Sequence, residues 1–176
     1  QTEYWGNVLA ARSGLFTNEQ YLGHIAQIAA YYDTLPARQW RYMADTTNDP
    51  IIAQRALQSW PTWQRSEDYY DEGLLIWLDA DTLIREKTKG AKSLDDFAKA
   101  FFGINNGDWN TVTYNFDEVV KTLNSVYPYD WATFLNDRLH KLGGGAPMDG
   151  ITRAGYKLVY TDTPSSYYKG RESLRK

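Results

Sequence analysis

Residues 68–87 read DYYDEGLLIWLDADTLIREK, and this stretch decides the fold class of the chain. Its apolar residues fall on more than one face of a helix. They are Leu74, Leu75, Trp77, Leu78, Leu83 and Ile84. A helix that is apolar on several sides is usually surrounded by other elements of the protein. The stretch therefore predicts a central helix from Asp68 to about Lys87.

Helix start signals recur on both sides of this segment. Thr17 opens a Thr-Asn-Glu-Gln run of the capping-box form, and Ser93, Asn115 and Asp130 each precede an apolar stripe. Residues 2–14 also have near-helical spacing of apolar residues. The pattern is typical of a protein built mainly from helices.

Other segments are predicted to be less regular. Residues 33–50 read as an extended connection, and a short helix is expected after Pro50, with Ile51, Ile52 and Leu57 facing inward. Gly143-Gly144-Gly145 is a helix breaker. Beyond it, residues 151–160 alternate as in a strand, with Tyr156, Leu158 and Tyr160 on one side.

The predicted fold class is all-α. We expect an orthogonal bundle of about seven helices with a short β appendage at the C-terminal end. Residues 1–142 would form the helical unit, and residues 143–176 would form a strand and a polar linker. The 176-residue length suits one domain, and no internal repeat is visible.

Composition excludes several classes of function. The chain has 19 basic and 22 acidic residues and no basic stripe, which disfavours a nucleic-acid surface. No apolar run approaches the ~20 residues of a membrane span. The absence of cysteine excludes disulfides and cysteine-ligated zinc, and it leaves bacterial periplasm and cytoplasm both open as compartments.

The residue types offer few catalytic constellations. Only two histidines are present, His24 and His140, and they do not form the His-x-x-x-His pair by which a helix presents two imidazoles to zinc. This chain alone is therefore expected to hold no metal. Asp79 and Asp81 lie in the apolar central helix, where a structural ion pair is favoured over a catalytic acid–base pair.

Tyrosines open the central helix. A phenol at Tyr70, just outside the apolar run, could donate a hydrogen bond to a developing oxyanion. Ordinary packing of the ring is the alternative interpretation of the same spacing.

Several motifs, in order along the chain, resemble those of one peptidase family. Residues 70–79 (YDEGLLIWLD) look like the Tyr-x-x-Gly segment and following helix of the glycyl aminopeptidase family of gluzincin zinc metallopeptidases. Residues 93–97 (SLDDF) and 128–135 (PYDWATFL) resemble later helix starts of that family, and residues 2–5 (TEYW) resemble the segment after its third zinc ligand. The resemblance runs over nearly the whole chain.

The resemblance implies a site shared between this chain and a stretch before it. Family members hold zinc with His-Glu-x-x-His and a downstream Glu, which would fall just before residue 1. Tyr70 corresponds to the tyrosine that donates a hydrogen bond to the tetrahedral oxyanion, and Tyr69 and Tyr4 would be neighbours in the substrate pocket. Glu72 departs from more distant relatives, which often have lysine before the glycine.

The function implied is that of a zinc-dependent aminopeptidase that removes Gly or Ala from the N-terminus of peptides. This chain would supply the cleft wall and Tyr70, and an upstream zinc-bearing half and a downstream PDZ-like module would complete the protein. The isolated chain is expected to be inactive. Two alternatives stay open at this point: a non-catalytic helical interaction module, and an aromatic-lined sugar-binding module suggested by the 7 Trp and 14 Tyr residues.

Overall fold

The computed structural model describes residues 1–49 and 59–174, and these residues are helical with irregular connections. The helices are α1 (Thr2–Arg12), α2 (Asn18–Asp33), α3 (Pro61–Gln64), α4 (Asp71–Lys87), α5 (Leu94–Phe102), α6 (Phe116–Val126), α7 (Trp131–His140), α8 (Asp149–Arg153) and α9 (Ser166–Leu174). Two 3₁₀ helices, Pro36–Gln39 and Met43–Asn48, occupy the connection predicted to be extended. The helix expected after Pro50 lies outside the described residues.

Helix α4 is the centre of the fold, as its apolar pattern predicts. It packs against α1, α2, α5 and α8. Its fully buried apolar side chains are Leu74, Leu75, Ile76, Ala80, Leu83 and Ile84. Trp77 and Leu78 are only half-buried, and each lines a surface groove.

Side-chain caps fix where the helices begin. Thr17 and Gln20 form a capping box at α2, Ser93 and Asp96 form one at α5, and Asn115 and Glu118 form one at α6. Asp130 accepts a hydrogen bond from the amide of Thr133 at the start of α7. Each cap satisfies amide groups that would otherwise lack a partner, and each start agrees with the sequence prediction.

The β appendage predicted for residues 151–160 is wrong. Within the described residues no strand is present; Ile151 belongs to α8, and residues 156–160 are irregular. The alternation of Tyr156, Leu158 and Tyr160 has no neighbouring strand with which to pair, and an isolated strand cannot satisfy its backbone groups. The described residues also form more α-helices than the seven or so expected, because α3, α8 and α9 carry weak sequence signals.

The polar tail forms helix α9 where a linker was expected. This helix packs against α2, and the ring of Tyr167 lies 4.8 Å from the ring of His24. Gly23 makes the approach possible, since a Cβ at that position would lie 3.0 Å from the Cβ of Tyr167. Residues after the glycine breaker therefore pack onto the helical unit. None of the described helices is both long and apolar enough to cross a membrane.

Candidate functional site at the start of helix α4

Tyr70 stands at the point where the chain turns into the central helix. Its amide donates to the carbonyl of Glu67 at 2.9 Å, and its carbonyl accepts from the amide of Leu74 at 3.0 Å. The side chain is 47% exposed, whereas the residues that follow in α4 are buried. The backbone of Tyr70 is thus held by the fold while its phenol is open to solvent.

The ring of Tyr69 lies beside the ring of Tyr70. The two ring centroids are 4.7 Å apart and the ring planes are tilted by 37°. Tyr69, hydrogen-bonded to the Tyr70 hydroxyl, raises the pKa of Tyr70, and Glu67 and Glu3 add smaller contributions of the same sign. A raised pKa keeps the phenol protonated, so Tyr70 is a hydrogen-bond donor over the whole neutral range.

Tyr4 is not on the exposed side of the molecule with Tyr70. It is 4% exposed and belongs to the core. Burial, followed by the negative charge of Asp81 and a hydrogen bond with it, raises the pKa of Tyr4. Among the tyrosines predicted to form the site, the structure therefore brings Tyr69 to Tyr70 and places Tyr4 inside the fold.

Two carboxylates, Glu67 and Glu3, act on the Tyr70 phenol electrostatically. Glu67 precedes it by three residues, Asp71 follows it directly, and Glu3 comes from the first turn of α1. Burial and the charge of Glu3 raise the pKa of Asp71, while Arg171 of α9 opposes that shift. The start of α1 and the start of α4 therefore share one acidic surface.

A buried ion network lies directly beneath this surface. Arg65 bonds Asp68 through Nε–Oδ2 at 2.5 Å and bonds Glu72 through Nη2 and Oε2. Arg38 bonds the other carboxylate oxygen of Glu72. All four side chains are at most 3% exposed. The buried position of Glu72 between two arginines explains why glutamate, rather than lysine, precedes Gly73 in this chain.

Sequence reasoning missed this network. Arg38 and Glu72 are 34 residues apart, and no periodic pattern connects residues at that separation. The available signal was Glu72 itself, an acidic residue inside a run of buried positions, because a buried carboxylate needs a cationic partner.

An open groove of about 430 Å³ runs beside Tyr69. Its walls come from the second 3₁₀ helix, α4, α6 and α7, and they include Met43, Gly73, Trp77 and Phe116. A Cβ at Gly73 would meet no atom within 4 Å. Gly73 therefore leaves space open in the groove and does not serve close helix packing.

The described residues do not fit a zinc site. No group of three or more His, Asp or Glu residues in ranges 1–49 and 59–174 is arranged to hold a metal ion. His24 lies in α2 against Tyr167, and His140 lies at the end of α7 with Nδ1 3.1 Å from the carbonyl of Asn136.

A comparison with protein families identifies this helical chain as peptidase-related. The family model of M61 glycyl aminopeptidase matches residues 1–76, which is less than half of the chain but includes Tyr69, Tyr70 and Gly73. The resemblance inferred from the motifs is confirmed over these residues. The match ends inside α4. No curated protein matches the chain significantly.

Proposed function

We propose that this chain is the helical part of the catalytic region of a zinc-dependent aminopeptidase, and that Tyr70 donates a hydrogen bond to the reaction's oxyanion. The substrates would be peptides with small N-terminal residues such as Gly or Ala. The family match over residues 1–76 supports a peptidase, since it covers the Tyr-x-x-Gly segment.

One observation carries the assignment of Tyr70. Its hydroxyl is exposed at the start of the central helix, and its neighbours raise its pKa. Attack on a peptide carbonyl places negative charge on the carbonyl oxygen, and a fixed neutral phenol can donate to that oxygen without losing its proton. A single donor of this kind contributes about 10²–10³ in kcat.

The acidic surface supports an aminopeptidase in particular. The free N-terminus of a peptide carries a positive charge, and Glu3 and Glu67 provide negative charge near the phenol. Opposite charges at partly buried positions attract each other more strongly than they do in bulk water. The surface would therefore favour peptides that present a free ammonium group near Tyr70.

The remaining parts of the proposed enzyme lie outside this chain. The zinc ligands would come from a preceding stretch of the same protein, and a PDZ-like module would follow residue 176. On this proposal the isolated chain binds peptide poorly and has no hydrolytic activity. It supplies a hydrogen-bond donor and a wall of the substrate cleft, but it holds no zinc to activate a water molecule.

The test is Tyr70→Phe in the full-length protein that contains this chain. We expect kcat on a glycyl or alanyl peptide substrate to fall by about 10²–10³ while KM changes little, because the lost hydrogen bond forms only in the transition state. Tyr129→Phe is a matched control, since Tyr129 is 40% exposed just before α7 and lies outside the site. A Tyr70→Phe enzyme with wild-type kcat would refute the role of Tyr70. A full-length wild-type protein with no peptidase activity would instead support the non-catalytic interaction module.

A further inference from the structure

Arg65 is the residue that ties together both sides of the Tyr70 turn. Its Nε bonds Asp68, two residues before Tyr70, and its Nη2 bonds Glu72, two residues after. Its Nη1 donates to the carbonyl of Arg41 at 2.8 Å. One guanidinium group therefore fixes the turn internally and anchors it to the connection that follows α2.

Arg41 in turn holds the backbone at Arg65. Arg41 Nη1 donates to the carbonyl of Arg65 at 2.9 Å and to the carbonyl of Gln64 at 2.8 Å. Arg41 is held in turn by Asp45 and Asp49, with N–O distances of 2.6 Å each. The two arginines thus clamp each other's backbone, and the segment before Tyr70 has little freedom to move.

The backbone of this segment is held in a costly conformation. Arg65 and Glu67 both have φ of 52°, in the left-handed region that residues with a Cβ rarely adopt. Such conformations persist where the surrounding contacts determine them, and they concentrate where a protein must present a group in one geometry. Here the hydrogen bonds of the Arg65 side chain hold the backbone in this conformation.

Stability alone does not account for the network. Two arginines and two carboxylates are removed from water, and the cost of removing charges from water offsets much of their mutual attraction. Replacing a buried ion network by an apolar cluster of similar volume is often neutral or stabilising in proteins. A buried network of this type is favoured where it specifies a geometry, and the geometry specified here is that of residues 65–72.

We propose that Arg65 is a positioning residue for Tyr70: by bonding Asp68, Glu72 and the Arg41 carbonyl, it fixes the turn that presents the phenol. The inference rests on the proposed function, because it assigns Arg65 to the same site. Arg65 itself is 1% exposed and does not touch substrate.

A double-mutant cycle in the full-length enzyme tests the proposal. The variants are Arg65→Lys, Tyr70→Phe and the double variant. Lysine keeps the charge but cannot reach three separate acceptors, so the turn loosens. We expect Arg65→Lys to lower kcat about 10-fold with little change in KM, since small misplacement of a reacting group has effects of this order. In the Tyr70→Phe background the same substitution is expected to have no further effect on kcat.

The cycle separates the possible outcomes. Equal loss of kcat in both backgrounds shows that Arg65 supports the fold in general and overturns the inference. Wild-type kcat in Arg65→Lys also overturns it. Wild-type kcat in Tyr70→Phe refutes the proposed function itself, independently of Arg65.

Two further variants keep the test interpretable. Arg12→Lys is the matched control, because Arg12 bonds both oxygens of Asp95 at 2.6 and 2.8 Å far along the chain from the Tyr70 turn. It should retain wild-type kcat. If Arg65→Lys does not fold, Asp68→Asn replaces it, because asparagine has the shape of aspartate but binds Arg65 more weakly and so loosens the same turn. The double-mutant cycle is then measured with Asp68→Asn and Tyr70→Phe.

Discussion

Arg153 of α8 donates from Nη1 to Oδ1 of Asp79 in α4 at 2.5 Å, across 74 residues of sequence. The carboxylate of Asp79 is fully buried, and its second oxygen accepts from Nε of Arg138 at 2.7 Å. One buried charge therefore joins α4, α7 and α8. The expectation of a structural ion pair at Asp79 agrees with this arrangement, although the sequence did not identify the two arginines.

Asp79→Asn should destabilise the fold by about 3 kcal/mol. The substitution keeps the shape of the side chain but leaves two partly buried arginines without their shared negative charge, and breaking such pairs from one side is costly. The free energy of unfolding, measured in urea, checks the prediction.

Asp149→Asn is the control for Asp79. Asp149 bonds the same Arg138 at 3.3 Å, but its side chain is 69% exposed. Exposed ion pairs contribute little, so the loss should stay below about 1 kcal/mol. Equal losses in the two variants would contradict the importance assigned to the buried carboxylate.

Gly150→Ala should also destabilise the protein, by about 2 kcal/mol, because overpacking forces helices apart. A Cβ at Gly150 would lie 2.6 Å from the amide nitrogen and 2.8 Å from the Cα of Asp79. Both are backbone atoms in the middle of α4, so they cannot move aside as a flexible side chain does. The melting temperature of the variant measures the effect.

Gly6→Ala is the control for Gly150→Ala, because the same substitution is expected to stabilise the protein at position 6. Gly6 is exposed in α1, and a Cβ there would meet no atom within 4 Å. Alanine in an exposed helix interior is favoured over glycine by about 1 kcal/mol, so this variant should be slightly more stable. A Gly150→Ala protein as stable as Gly6→Ala would show that α8 does not pack closely on α4.

Local signals predicted the helix starts and the central element. Thr17, Ser93, Asn115 and Asp130 cap helices as their sequence contexts indicate, because a cap is decided within four residues. The apolar faces of α4 likewise carried enough information to place it at the centre of the fold.

Non-local pairing limited the rest of the prediction. The alternation of residues 151–160 satisfied the local rule for a strand, but a strand also needs a partner, and no local pattern reports one. Helix α9 has a polar sequence and was expected to be a linker; it packs on α2 because Gly23 leaves room for Tyr167. The position of Tyr70 as a candidate donor came from the family resemblance, since spacing alone favoured ordinary packing of the ring.

The Arg12–Asp95 pair predicts an acid-sensitive contribution to stability. Arg12 lowers the pKa of Asp95 to about 2, below the value of about 3.9 expected in an unfolded chain. A depressed pKa in the folded state stabilises the fold above the unfolded pKa, and that contribution is lost as the pH falls from about 4 to 2. Both side chains are more than a third exposed, so solvent screening limits it to less than about 1 kcal/mol.

Removing either partner of the ion pair, by Asp95→Asn or by Arg12→Gln, tests this contribution. The free energy of unfolding at pH 5 and at pH 2.5 is measured for the wild type, both single variants and the double variant. Each variant should lose stability at pH 5 and lose less at pH 2.5, because protonation of the Asp95 carboxyl has begun to weaken the pair there. The double variant should lose about as much as either single variant, since both remove the same interaction. Losses that add up, or that persist unchanged at pH 2.5, would show that the two residues stabilise α1 and α5 separately.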